Sequence, residues 1–67
     1  MERYVIYGKL EGMERLRPLN GRKLLTHLCW AEVFYVQDDE VLARLKKEVE
    51  RIKQGNGGEW ELRKISA

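Results

Sequence analysis

Residues 38–55 read DDEVLARLKKEVERIKQG, and this stretch sets the architecture expected of the whole chain. Its apolar side chains recur at helical spacing and form a single stripe: Leu42, Leu45, Val49 and Ile52. Asp38 is a good N-cap, and the two acidic residues after it favour the positive end of the helix dipole. Lys53 and Gly55 are typical of a helix end. The pattern therefore predicts an amphipathic helix with one face to bury.

The segment before the helix has the composition of strands separated by turns. Residues 4–7, Tyr-Val-Ile-Tyr, are aromatic or β-branched and predict a half-buried strand. Glu11-Gly12 can reverse the chain, and Asn20-Gly21 is the strongest hairpin signal present. Two-residue turns at both places would set Lys9 opposite Glu14. The predicted strands are strand one at about residues 3–10, strand two at 13–19 and strand three within 24–36.

Residues 24–30 allow two interpretations. Leu24 and Leu28 fall near helical spacing, so a helix is one of them. A strand from about residue 27 is preferred, because residues 30–36 are dense in β-formers. After the helix, residues 55–58 form a glycine-rich turn, and Trp60 alternates with charged residues in a last strand at 59–65.

These elements predict one domain over residues 1–67, in the order βββαβ. The fold class is α+β, a small antiparallel sheet with one helix packed on one face. One helix covers only one face of such a sheet, and the other face still has apolar candidates. We therefore expect a homodimer or higher homo-oligomer, formed through the bare face or through an edge strand.

The length of 67 residues limits both stability and function. A domain of this size has a marginal core, and Cys29 is the only cysteine, so no disulfide can form within the chain. A lone thiol fits a reducing cytoplasm. Met1 to Tyr4 carry charge, so no signal peptide is expected, and no apolar run has membrane-spanning length. The chain is short for ordinary enzyme machinery, and neither a cofactor nor a metal is expected.

Three motifs have a chemical and a structural interpretation. His27 and Cys29 would share a strand face, as in a nucleophilic dyad or half of a zinc site shared across a dimer. A buried structural cysteine beside a rim histidine is the preferred explanation. Glu59 and Glu61 resemble paired catalytic carboxylates, but cross-strand salt bridges explain them equally well. The glycines at 55–58 follow a helix instead of preceding one, so they do not predict a phosphate loop.

The net charge is +2, and its excess lies in the N-terminal part. Residues 1–27 hold six basic residues against three acidic ones, whereas residues 38–54 balance five against five. Arginine pairs with phosphate and aromatic rings stack on bases, so a mixed basic and aromatic face can bind an anionic nucleotide or a single strand. A solvated basic face remains the alternative. The candidate ligand-binding residues are Tyr7, Arg15, Arg17, Arg22, Lys23 and Trp30.

The run YVIYGKLEGMER at residues 4–15 resembles the opening of a group of short bacteriophage and prophage accessory proteins. The similarity extends over nearly the whole chain, through the acidic helix start at 38–40 to the closing strand at 60–65. The loop around Asn20-Gly21 is shorter than in that group, and residues 35–37 differ. The motif marks the group without indicating a chemistry.

The resemblance implies a phage protein that acts in a bacterial cytoplasm. Small accessory proteins of this kind often counter host defence, by blocking a defence protein or by sequestering a nucleotide signal. Such nucleotide sponges are small homo-oligomers with basic and aromatic pockets. The leading hypothesis is a non-enzymatic protein that sequesters an anionic nucleotide immune signal. The alternatives are a protein inhibitor of a host defence effector, acting through an edge strand or the helix face, and a weak single-stranded nucleic-acid binder.

Overall fold

A computed structural model describes residues 1–66, and for Ser66 the backbone alone. It has an open antiparallel sheet with one α-helix, so the predicted α+β fold class is confirmed. The elements in chain order are β1 (Glu2–Lys9), β2 (Arg17–Asn20), β3 (Lys23–Leu24), a 3₁₀ turn (Leu28–Trp30), β4 (Phe34–Val36), α1 (Asp39–Asn56) and β5 (Glu59–Ser66).

Strand β1 is the centre of the sheet. One of its edges pairs with β5 from Arg3 to Lys9. The other edge is shared, because β4 pairs with its first residues and β2 pairs with Tyr7 and Gly8. Strand β3 extends the sheet beyond β2. All of these pairings are antiparallel. Tyr7 and Gly8 pair with both β2 and β5, so these two strands lie on opposite sides of β1.

Helix α1 packs on one face of the sheet, against β4 and β5. The predicted stripe forms the contact: Leu45 and Val49 are buried and join Ile6 in the core, with Val41, Leu42 and Ile52 packed around them. Asp38 caps the helix as predicted, since its Oδ1 accepts a hydrogen bond from Val41 N at 2.9 Å. No helix within residues 1–66 combines the length and the apolarity needed to cross a bilayer.

The helix end lies two residues later than predicted. Gly55 is part of the helix, and the C-cap is Gly57 at φ 69°, whose N–H donates to Lys53 O at 2.8 Å. A positive φ favours glycine, so Gly57 provides the stop that the sequence had placed at Gly55.

The predicted pairing of β1 with β2 is wrong by two residues. Tyr7 lies opposite Pro18, so residues 10–16 form a longer loop and Glu14 is not opposite Lys9. Lys9 instead pairs across the sheet with Glu59, at 3.3 Å. Pro18 is compatible with this pairing, because its carbonyl accepts from Leu25 N at 2.7 Å and its missing N–H faces the same way, away from β1. The residue thus leaves no β1 hydrogen bond unmade.

The second turn is shifted by one residue. Asn20 pairs with Lys23, so the two central residues of the hairpin are Gly21 and Arg22 instead of Asn20 and Gly21. Gly21 has φ 60°, which suits the first central position of a tight hairpin turn. The side chain of Asn20 is used differently, since its Nδ2 donates to Trp30 O at 2.7 Å.

Residues 25–33 form neither the preferred strand nor the alternative helix. The predicted third strand is divided into β3 and β4, and a single 3₁₀ turn lies between them. This segment folds back on the β2–β3 hairpin, because Glu32 N donates to Leu19 O at 3.1 Å and Asn20 holds Trp30 O. These contacts keep the β-forming residues of this segment out of the sheet.

The sheet face away from the helix is partly covered. Val5 lies on this face and has no exposed surface, and Tyr7 is half-buried. The guanidinium of Arg63 stacks over the Tyr7 ring, 4.4 Å from its centroid. Tyr35 is the large exposed side chain here, at 60%.

Candidate functional site

Two of the predicted ligand-binding residues, Arg15 and Arg17, lie together on one surface groove with a volume of 620 Å³. We call it the loop groove. It is formed by the β1–β2 connection, the start of β2 and Thr26. Its lining consists of Gly12, Met13, Glu14, Arg15, Leu16, Arg17, Pro18 and Thr26.

Backbone hydrogen bonds give the loop groove its shape. Met13 N donates to Leu10 O at 3.0 Å, and Leu10 N donates back to the Met13 sulfur at 3.3 Å, so a closed turn follows β1. At the other end, the Leu25 to Pro18 hydrogen bond brings Thr26 beside β2. Pro18 is buried and forms part of the groove wall.

Within residues 1–66, no counter-charge is bound to the two arginines of the loop groove. Arg15 is exposed and Arg17 is half-buried, and neither makes an ion pair with any residue in the described part of the chain. Glu14 is the one acidic residue on the lining. Each guanidinium therefore has its five N–H donors available for an anion.

The other predicted site residues are not on the lining of the loop groove. Tyr7 is the nearest in the sheet, because it lies directly opposite Pro18. Arg22 and Lys23 are exposed in the β2–β3 hairpin. Trp30 is 70% exposed in the 3₁₀ turn, which Asn20 ties to the same hairpin. The fold thus brings Arg15 and Arg17 into one groove and does not bring the remaining four onto it.

A second concavity, of 640 Å³, lies between the last turns of α1 and the β2–β3 hairpin. Arg22 is one of its lining residues, and sequence analysis missed three others: Arg51, Asn56 and Trp60. Trp60 was expected only as a strand residue with an inward side chain. We call this concavity the hairpin cleft. Its lining is Leu10, Leu19, Gly21, Arg22, Leu24, Glu48, Arg51, Ile52, Gly55, Asn56 and Trp60.

The hairpin cleft is less suited to an anion than the loop groove. The guanidinium of Arg51 donates both Nε and Nη2 to the Glu48 carboxylate, which neutralises it. That contact also lowers the pKa of the Glu48 carboxyl below its usual value. In addition, the cleft lies at the carbonyl end of α1, where the helix dipole is negative.

The residues considered for catalysis are not arranged for it. Cys29 is exposed in the 3₁₀ turn, so both its predicted burial and the strand face shared with His27 are wrong. Glu59 pairs with Lys9, and Glu61 accepts from Arg63 Nε at 2.8 Å. This hydrogen bond holds the pKa of the Glu61 carboxyl below its usual value. Glu61 is therefore suited to pairing with a positive charge as a carboxylate, and not to donating a proton as a general acid. Residues 1–66 contain no group of three or more His, Cys, Asp or Glu side chains placed to hold a metal.

Comparison of the chain with family models, with curated proteins and with solved structures finds no match in any of the three.

Proposed function

We propose that this protein is a non-enzymatic binding protein that captures an anionic nucleotide in the loop groove. The observation in its favour is the placement of Arg15 and Arg17 on one groove without a bound counter-charge. The volume of 620 Å³ falls within the range of small-molecule sites.

The chemistry of capture follows from the groups present. Arg15 and Arg17 pair with phosphate oxygens through bidentate hydrogen bonds, and the Thr26 hydroxyl adds a donor or an acceptor. Arg22 and Lys23 raise the local positive potential, and the exposed ring of Trp30 offers stacking surface for a base. The ring of Tyr7 is already covered on one face by the Arg63 guanidinium, 4.4 Å from its centroid. Binding of this kind sequesters the nucleotide and requires no catalytic group.

The biological setting rests on the resemblance to small phage accessory proteins. In that setting, the protein acts in the cytoplasm of an infected bacterium and removes a nucleotide signal of host immunity. It does so as a homo-oligomer, which a marginal core favours, since the described side chains of residues 1–65 include six buried core hydrophobics.

The test is isothermal titration calorimetry with a panel of cyclic and ADP-ribose-type nucleotides. Wild type should bind at least one of them, with affinity falling as salt rises. Arg15→Glu with Arg17→Glu should abolish binding. The matched control is Lys46→Glu with Lys47→Glu, the same charge change on exposed residues of α1, which should leave binding within about threefold because the field is screened at that distance. Equal losses in both double variants would show that only net charge matters and would refute the site.

A second candidate function is inhibition of a host defence protein. The observation that favours it is the 3₁₀ turn, where Trp30 is 70% exposed and Leu28 is 46% exposed on one short segment. Exposed tryptophans are frequent anchors of protein interfaces. For this function, Trp30→Ala should abolish capture of the defence protein, and nucleotide titrations of wild type should show no heat of binding. Retained capture by the Trp30→Ala variant would refute it.

A further inference from the structure

Strand β5 forms an edge of the sheet along its full length of eight residues. Its inner edge pairs with β1, and its outer edge has no strand partner within residues 1–66. An open edge of this length exposes a row of backbone N–H and C=O groups that can pair with another strand. Edge strands of natural proteins often carry charged side chains that prevent a second strand from pairing with them. Whether the outer edge of β5 can pair with another strand therefore depends on its charged residues.

The two faces of β5 follow from its pairing with β1. Trp60 and Leu62 lie on the helix face, opposite Gly8 and Ile6. Lys64 shares that face by alternation. Glu61 lies opposite Tyr7, on the face away from the helix, and Arg63 is on the same face, since it stacks over Tyr7. On that second face, acidic residues come first along the strand and the basic residue follows.

This order of charges makes β5 complementary to itself in one antiparallel register. When two copies pair around a twofold axis at Leu62, Glu61 of each lies opposite Arg63 of the other. Trp60 then lies opposite Lys64, whose aliphatic stem can pack on the indole. Moving the axis to Glu61 sets two carboxylates opposite each other, and moving it to Arg63 sets two guanidinium groups opposite each other. Like charges directly opposite are destabilising, so the register around Leu62 is favoured over both of these.

We propose that β5 is a homodimer interface, in which the outer edges of two copies pair antiparallel around Leu62 to form one continuous sheet. The twofold axis is perpendicular to the sheet, so both helices lie on the same face. The charged side chains are already ordered for this role. Glu61 is hydrogen-bonded to Arg63 within the chain, and Arg63 is held over Tyr7, so less side-chain entropy is lost on pairing.

The interface leaves the loop groove free. Strands β5 and β2 pair with opposite edges of β1, and the groove lies on the β2 side. Each copy in the dimer thus keeps its own Arg15 and Arg17. Loss of dimerisation and loss of nucleotide binding are consequently separate outcomes.

A charge swap at the paired positions tests the register. The experiment is sedimentation equilibrium of wild type, Glu61→Arg, Arg63→Glu and the double swap, with circular dichroism to confirm the fold. Each single variant places like charges opposite each other twice, and its dimer dissociation constant should rise about tenfold or more. The double swap recreates both opposite-charge pairs and should return to within about threefold of wild type. Glu50→Arg, an exposed position on α1, is the matched control and should not change dimerisation.

Three results would overturn the proposal. Wild type that remains monomeric up to millimolar concentration has no such interface. Single variants that weaken the dimer no more than Glu50→Arg place the interface elsewhere. A double swap that dimerises no more tightly than the single variants rejects the register. If the single variants do not fold, a dimeric double swap supports the register and a monomeric double swap rejects it.

Discussion

Replacing Gly8 by alanine would put a methyl group against the ring of Trp60. Gly8 lies opposite Trp60 in the β1–β5 pair, and an added Cβ would lie 2.8 Å from Cη2 and closer still to Cζ3 and Cε3. The ring has little freedom to withdraw, because its Nε1 donates to Gly57 O at 2.6 Å. Gly8 has no positive φ, so the backbone itself accepts alanine and the conflict is purely steric.

The change in the free energy of unfolding of Gly8→Ala is the sum of two opposing contributions. Overpacking that displaces a ring held in this way destabilises by about 1–3 kcal/mol. Alanine restricts the unfolded chain and returns up to about 1 kcal/mol. The net loss is about 1–2 kcal/mol, which lowers the Tm of a domain of this size by about 5–15 °C.

Thermal denaturation followed by circular dichroism measures this change. Gly55→Ala is the matched control, because Gly55 is in the last turn of α1 with open space around the added methyl. It should stabilise the fold by about 0.5–1 kcal/mol, the opposite sign. With Trp60→Leu present, Gly8→Ala should cost nothing further. A Gly8→Ala protein as stable as wild type would show that the Trp60 ring moves aside at no cost in stability.

Two further predictions concern the cap of α1 and the charges of β5. Asp38→Ala removes the acceptor for Val41 N and should lower the free energy of unfolding by about 1 kcal/mol, whereas Asp38→Asn should retain most of it; equal losses in urea titrations would contradict this. The pKa of Glu61 is held below its usual value of 4.5 by Arg63, so its charged form is the stabilised one. Dimerisation should be constant at neutral pH and weaken as the pH falls below 4.5 toward the lowered pKa of Glu61; an acid-insensitive dimer would contradict the role of Glu61.

The helix and the two long strands could be predicted because their signals are local. A stripe such as Leu45 and Val49 and a cap such as Asp38 act within a few residues. The register of β1 with β2 depends instead on how the chain closes over residues 10–16. The turn at Glu11-Gly12 forms where it was predicted, with Met13 N donating to Leu10 O, but the strands do not pair directly beside it, and the second turn lies one residue later than predicted. No short-range pattern contains this information.

The segment between β3 and β4 shows how tertiary contacts override propensity. Its aromatic residues favour a strand, yet Asn20 and Leu19 hold residues 30 and 32 against the hairpin. The same contacts leave Cys29 exposed. For the candidate site, the sequence indicated basic residues, but only the loop after β1 brings Arg15 and Arg17 onto one groove.

Native mass spectrometry of the protein with cyclic and ADP-ribose-type nucleotides is the most direct test of nucleotide capture. The account predicts a dimer that gains the mass of two nucleotides, one in each loop groove, and an Arg15→Glu, Arg17→Glu dimer that gains none. A protein that gains no mass from any nucleotide in the panel would contradict the proposed function.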